Sequence, residues 1–420
     1  MNPALSLSSL NELEDYDPDS IQVEQARQLI RRFLHPVDGR ETISLHAALH
    51  RTLAGDIASP LNVPPHDYSA MDGYAARSAD LAGGACTLEL VGSSLAGHPF
   101  AGQVAAGQCV RIMTGALIPS GCDIVVMQEQ VRATGDVAEI GSSHRLGQNI
   151  RRVGEDMHAG EKVLAQGQVI HPAIMGLLAS LGFSEVPVFR KLKVAIFSTG
   201  DELQQPGAPL APGQIYDSNR YTLYGLLQEL GVEILDLGNV RDDPALLKAT
   251  LLEAANKADA IITSGGVSVG EADYIKQLLA EIGEVVFWKI AMKPGKPLAY
   301  GKIGNSHFFG LPGNPVAVMV TFQQFVRDAL RILMGLSILP ALTLKVECAD
   351  PIRKSPGRTE FQRGILSRDE QGKLIVHSTG NQGSGILSSM TRANCFIVLP
   401  LELGNVEAGS QVEVQPFGNL

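Results

Sequence analysis

The chain has 420 residues, enough for more than one domain, and its 45% hydrophobic and 19% charged content is that of an ordinary globular protein. A formal net charge of −10 and an isoelectric point near 5.5 exclude a general nucleic-acid binder. An acidic chain that binds an anion must gather its Lys and Arg locally, so basic clusters carry information.

The five cysteines (Cys86, Cys109, Cys122, Cys348 and Cys395) form no CxxC pair and have no histidine at zinc spacing. They read as reduced thiols. No basic and apolar leader opens the chain. The most apolar long segment, 332–344, is broken by Gly335 and Pro340 and is too short to span a bilayer. A cytoplasmic protein with neither a membrane nor a nucleic-acid partner is expected.

Residues 1–16 are rich in Ser, Asn and acids and are expected to fray. From Ile21, apolar residues at Ala26, Leu29, Ile30, Phe33 and Leu34 share one helical face until His35-Pro36. A second short helix is expected near Ile43 to Leu53, packed on the first. Three prolines followed by Asp72-Gly73 predict a rigid exposed loop over 60–75. From Cys86 to about Gly147, short segments at 88–91, 109–113 and 124–131 predict a small β domain, one strand ending at Thr114-Gly115. Arg151-Arg-Val-Gly-Glu-Asp156 leads back toward helix, and His171-Pro172 opens a helix closed by Gly182. The helical region therefore reads as split, 17–60 and 149–187, around a β domain inserted at 61–148.

From Lys193, strand and helix alternate, which predicts an α/β domain with a parallel, doubly wound sheet over 188–336. Its central stretch is Asp259 to Tyr274, an apolar β-branched run followed by Gly265, Gly266 and Gly270, then Asp273 at a helix start. A glycine-rich strand-to-helix turn offers backbone N–H groups to an anion. The aspartate after it would repel a bare anion, so a bridging divalent cation reconciles the two. Ligands of such sheets lie beyond the carboxyl ends of the strands, where Gly200-Asp201-Glu202, Gly265-Gly266 and Leu311-Pro-Gly-Asn-Pro315 all fall. Of Asp242 and Asp243, both just before Pro244, one is expected to cap a helix, leaving Asp242 as a candidate ligand. Lys289, Lys293 and Lys296 form the densest basic constellation, stiffened by Pro294 and Pro297, and suit several phosphate oxygens. After Pro340 the pattern returns to β, and a C-terminal β-barrel over 337–420 is expected. No nucleophilic triad, P-loop or dinucleotide fingerprint occurs.

Six motifs then occur in order: Ser69-Ala-Met-Asp-Gly-Tyr-Ala75, Arg111-Ile-Met-Thr-Gly115, Ser198-Thr-Gly-Asp-Glu-Leu203, Ser264-Gly-Gly-Val-Ser-Val-Gly270, Lys293-Pro-Gly-Lys-Pro297 and Leu311-Pro-Gly-Asn-Pro315. Together they resemble the molybdopterin molybdenumtransferases, the MoeA family, which includes the gephyrin E domain. The resemblance runs from about residue 20 to the end of the chain. It implies a four-part elongated homodimer and Mg²⁺-dependent insertion of molybdate into adenylylated molybdopterin, with release of AMP. It also implies a working partner in the molybdopterin adenylyltransferase of the same pathway.

Carried over position by position, the resemblance gives catalytic roles to Asp72, Thr114, Asp156, Glu202, Asp273, Lys289, Lys293 and Lys296. Substrate binding falls to Ser264, Gly265, Gly266, Ser268, Gly270, Pro312, Gly313, Pro315, Arg363 and Ser384. Glu202, Asp242 and Asp273 would hold Mg²⁺. Two other readings compete: the adenylylation step, and a gephyrin-like scaffold. The extra β regions and the Ser69–Ala75 motif disfavour the first. The short lead before residue 20 disfavours the second.

Overall fold

The computed structural model describes residues 7, 17, 19–265, 272–338 and 340–418, leaving aside the side chains of 272–275 and 287. The expected fraying of 1–16 thus falls almost wholly outside the described residues. The chain divides into two compact units, one of 1–42, 50–54 and 187–420, the other of 43–49 and 55–186.

In the second unit a six-stranded sheet runs in the order Ile124–Met127, Gly73–Ala76, Gln108–Ile112, Cys86–Ser94, Val137–Ile140, Val131–Thr134. Gly73–Ala76 is completely buried inside this sheet, where the prolines and Asp-Gly predicted only exposed loop. The cause lies in Gly73, where any Cβ would fall 2.0 Å from the Val126 carbonyl. Only glycine allows that neighbouring strand so close. Outside the sheet, Ile57–Ala58 pairs with Lys162–Leu164 and Tyr68–Ser69 with Ile150–Arg151. The helix Pro172–Ser180 follows, with proline in its first turn as expected. No helix forms over 43–53. The strand Arg40–Ser44 runs into a single 3₁₀ turn, Leu45–Ala47, and then a turn in which His50 stands at φ +63°. Thr42, Ile43 and Thr52 are β-branched, which disfavours a short helix.

The first unit is built on β1 (Lys193–Thr199), β2 (Glu233–Val240), β3 (Ala260–Ser264), β4 (Glu284–Lys289), β5 (Pro297–Ile303) and β6 (Ser306–Leu311), in the order β2-β1-β3-β6-β5-β4. The first four are parallel, and β5 and β4 add an antiparallel edge. Alternate residues serve different cores, as a sheet covered on both faces requires. Val194, Ile196 and Ile262 pack with the helices Val23–Arg32, Ser218–Leu230 and the helical run from Pro315 to Leu333. Ala195, Phe197 and Ile261 pack with Pro244–Lys257 and Ala272–Ile282. Asp243 caps the helix Pro244–Lys257 by accepting from Leu246 N at 2.9 Å. Register sets Ser198, Ser264 and Leu311 level at one end of the sheet.

The chain closes with β7 (Leu344–Cys348), β8 (Thr359–Arg368), β9 (Leu374–Ser378), β10 (Cys395–Leu399) and β11 (Gln411–Pro416). The pairings β8-β9-β7-β11-β10-β8 form a closed five-stranded barrel. β8, the longest of these strands, escaped the sequence reading because polar residues are buried on both of its faces, Glu360 and Gln362 on one and Arg363 on the other. Among the described residues no helix is long and apolar enough to cross a membrane.

Candidate functional site

The loop leaving β4 is held in place by the barrel. Met292-Lys293 pairs in parallel with Thr359-Glu360 at the start of β8. Gly295 then turns at φ +100°, and a Cβ there would lie 2.6 Å from Thr321 Oγ1. This carries Lys293 and Lys296 to the wall of a cleft of about 390 Å³ in the first unit. Pro312, Gly313 and Asn314 form another part of the wall, and Arg358, Gln382 and Ser384 reach it from the barrel region. Among the described residues no carboxylate lines it. Lys293 Nζ lies 3.4 Å from Glu360, a buried carboxylate outside the lining, and Lys296 and Arg358 are exposed. Three cations around a cleft with no acid among its described lining residues suit an anion.

The strand ends adjoin it. Ser264 closes β3, and Gly265 follows at φ +92°, so close to β1 that a Cβ would sit 2.5 Å from the Thr199 carbonyl. Gly266, Ser268 and Gly270 lie outside the described residues, as does the side chain of Asp273, whose backbone begins the helix Ala272–Ile282. Glu202 is exposed in the turn after β1. Asp242 is half-buried, its N–H 3.4 Å from Asp201 Oδ1. Among the described residues no three His, Cys, Asp or Glu side chains converge on a metal position. Glu202 and Asp242 are nevertheless hard oxygen donors, in the segments that follow β1 and β2. Mg²⁺ commonly takes only one or two carboxylates and completes its shell with substrate phosphates and water. The donor chemistry fits Mg²⁺ on those terms.

Three other expected residues are placed differently from the cleft lysines. Lys289 pairs with Asp19 at 2.6 Å and does not line the cleft, and that ammonium holds the Asp19 carboxyl below its usual range. Arg363 is buried, donating from Nε to Ser389 Oγ at 3.0 Å and from Nη2 to the Gly383 carbonyl at 3.1 Å. Burial pushes its guanidinium down to about 10. Arg363 thus braces the turn bearing Gln382 and Ser384, and Ser384 itself lines the cleft. Pro315 begins the helical run behind it, where Val316 N donates to the Ser384 carbonyl at 3.1 Å.

Asp72, Thr114 and Asp156 belong to the second unit. Asp72 Oδ1 accepts from both Thr114 N and Thr114 Oγ1 at 2.7 Å, so these two expected residues are direct neighbours. The Thr114 N–H, then its hydroxyl, hold the Asp72 carboxyl below its usual range. Arg111 stacks on Tyr74 with 4.9 Å from Cζ to the ring centroid. Asp156 is exposed and fixed through its backbone, its N–H donating to the Val63 carbonyl at 3.0 Å.

Sequence reading missed Arg358, Asn314, Gln382 and Asn219. Arg358 carried a faint signal, an arginine directly after Pro356-Gly357 in a turn.

Comparison with known proteins covers nearly the whole chain. Residues 21–182 match the model of the MoeA N-terminal region (domain I and II), 195–332 a probable molybdopterin binding domain, and 345–417 the MoeA C-terminal region (domain IV). A molybdopterin molybdenumtransferase of Haemophilus influenzae is 46% identical over 410 residues, covering 95% of this chain and 99% of that protein. Gephyrin of Dictyostelium discoideum is 37% identical, over 90% of this chain and 59% of its own length. The crystal structure of the molybdopterin biosynthesis moeA protein from Pyrococcus horikoshii OT3 aligns with a TM-score of 0.83 at 30% identity, covering 95% of this chain and 100% of that one.

Proposed function

The chain belongs to the MoeA family, the molybdopterin molybdenumtransferases of molybdenum cofactor biosynthesis, and from that premise we propose that it inserts molybdate into adenylylated molybdopterin with Mg²⁺ and releases AMP. The observation that supports this most is the cleft walled by Lys293, Lys296 and Arg358, with no carboxylate among its described lining residues. Molybdate is a tetrahedral dianion, and the substrate carries a pyrophosphate between pterin and adenylate. Lys293 and Lys296 bind these oxygens from the rigid loop, and Arg358 faces them from the barrel. The Gly265 turn presents backbone at the carboxyl end of β3. Fixed cations of this kind favour charge that develops on a departing phosphate oxygen. Glu202, Asp242 and Asp273 would hold Mg²⁺, which when bound offsets negative charge at the cleaved linkage.

The reading includes a cytoplasmic homodimer that takes its substrate from the adenylyltransferase. It also divides the chain into working parts at 17–60 with 149–187, 61–148, 188–336 and 337–420. The test is direct. Purified protein with molybdate and Mg²⁺ should consume adenylylated molybdopterin and release AMP in equal amount. Substrate left intact under those conditions, with the protein folded, would refute the reading.

A further inference from the structure

The first turn of the helix Ser218–Leu230 is tied by its side chains to the sheet beside it. Asp217 caps the helix by accepting from Arg220 N at 3.2 Å, and it also accepts from Ser198 Oγ of β1 at 3.0 Å. Arg220 Nη1 donates to Asp236 of β2 at 2.6 Å. The cap is thus complete without Asn219, which is nevertheless 8% exposed. Its amide nitrogen donates to the Gly313 carbonyl at 2.6 Å and to Ser264 Oγ at 2.8 Å. A carbonyl oxygen only accepts, so the first contact fixes which end of the amide is nitrogen.

These two bonds join the ends of adjacent strands. Ser264 is the last residue of β3 and pairs in register with Leu311, the last of β6. Gly313 follows in the turn beyond β6 and lines the cationic cleft, whereas Asn219 does not line it. Gly313 is exposed, and a Cβ there would meet nothing within 4 Å, so packing does not fix its place. The hydrogen bond from Asn219 supplies what packing does not. Burying an amide carries a desolvation cost that alanine, a better helix former, would avoid. The staple between Ser264 and Gly313 offsets that cost.

We propose that Asn219 is a positioning residue for the anion cleft. It pins the wall at 312–314 to the end of β3, and so sets where that wall stands relative to Lys293 and Lys296 when an oxoanion enters. This role rests on the functional reading above, in which the cleft holds molybdate and the phosphate oxygens of the substrate.

Asn219→Ala and Asn219→Leu both remove the donor, the first leaving space and the second filling it. Molybdate affinity, titrated calorimetrically with the whole protein well below its melting temperature, should fall on the order of tenfold in each, the worth of one hydrogen bond and its unpaired partner. In the AMP-release assay, KM for molybdate should rise by a similar factor. A merely structural residue would act otherwise, since its loss lowers the folded fraction, and kcat then falls while KM holds. Ser198→Ala is the control, because it removes one hydrogen bond to Asp217 at the same helix start and leaves Gly313 stapled. It should lower the melting temperature and keep wild-type affinity and KM. Wild-type affinity and KM in a folded Asn219 variant overturn the positioning role, and so does an equal loss in Ser198→Ala. Wild-type protein that neither binds molybdate nor releases AMP refutes the functional reading, and the positioning role with it.

Discussion

At the scale of single residues, the three cations of the cleft differ in what else they hold. Lys296 and Arg358 have no ion-pair partner among the described residues, so Lys296→Ala and Arg358→Ala remove ligand contacts only. Each should cost about 1.5–3 kcal/mol of molybdate binding, the range for hydrogen bonds to charged groups, with the melting temperature unchanged. Lys293→Ala should lower both affinity and stability, because it strips a partner from the buried Glu360. Calorimetric titration beside thermal melts separates the two effects, and full affinity in all three variants would remove the assignment. Away from the site, His307 is buried against Tyr300, whose hydroxyl lies 3.4 Å from Nδ1, and burial pushes the imidazole down to about 4 from an ordinary 6.5. The unfolded chain therefore takes up this proton before the folded one does. Stability from this residue is complete above pH 6.5 and drains away as pH falls toward 4. Denaturant melts of His307→Gln should lose less stability across that window than wild type.

At the scale of elements, conformation carries as much of the site as charge does. Gly295 stands at φ +100° with Thr321 Oγ1 only 2.6 Å from where a Cβ would be, and Thr321 Oγ1 itself donates to the Ala317 carbonyl at 2.6 Å. Gly295→Ala should cost on the order of 1–3 kcal/mol of stability and weaken molybdate binding although no charge is removed. A variant with wild-type melting temperature and affinity would show that the loop's path is unimportant. The same elements show what sequence could convey. β1, β3 and the helices between them were legible because continuous apolar runs alternate with capped helical segments, as at Asp243-Pro244 and Gly231. The lysine loop was legible because charge and proline coincide in it. β8 was not, since the chain buries Glu360 on one face of the strand and Arg363 on the other, and their partners Lys293 and Ser389 are distant in sequence. Gly73–Ala76 was hidden for the opposite reason, because the prolines and Asp-Gly before it dominate the local pattern. Arg363 was found as a residue but not as a brace, for nothing local reveals that its guanidinium turns toward Ser389 and Gly383.

At the scale of the whole molecule, Asp72 and Thr114 lie in one compact unit and the cleft lysines in the other. The proposed homodimer implies that catalysis draws on Asp72 from one copy and Asp273 from the other. Co-expressed Asp72→Ala and Asp273→Ala chains, each inactive alone, should then recover about a quarter of wild-type AMP release, since random pairing makes half the dimers mixed and each of these has one intact site. No recovery, with mixed dimers shown by tagged co-purification, would defeat that arrangement.

A different limit on dividing the chain arises within the first unit. Ile21 N donates to the Lys289 carbonyl, Ala291 N to the Ile21 carbonyl and Thr359 N to the Ala291 carbonyl, at 3.2, 2.7 and 2.9 Å. Three stretches far apart in sequence are thereby sewn into one narrow ribbon, with the lysine segment in its middle. A chimera that exchanges the barrel at the seemingly natural joint near residue 340 would keep the lysines but change the backbone against which they are laid. Transplanting the barrel with its own 19–22 and 289–297 segments moves the whole ribbon together, so the unit of exchange is discontinuous in the gene though contiguous in space.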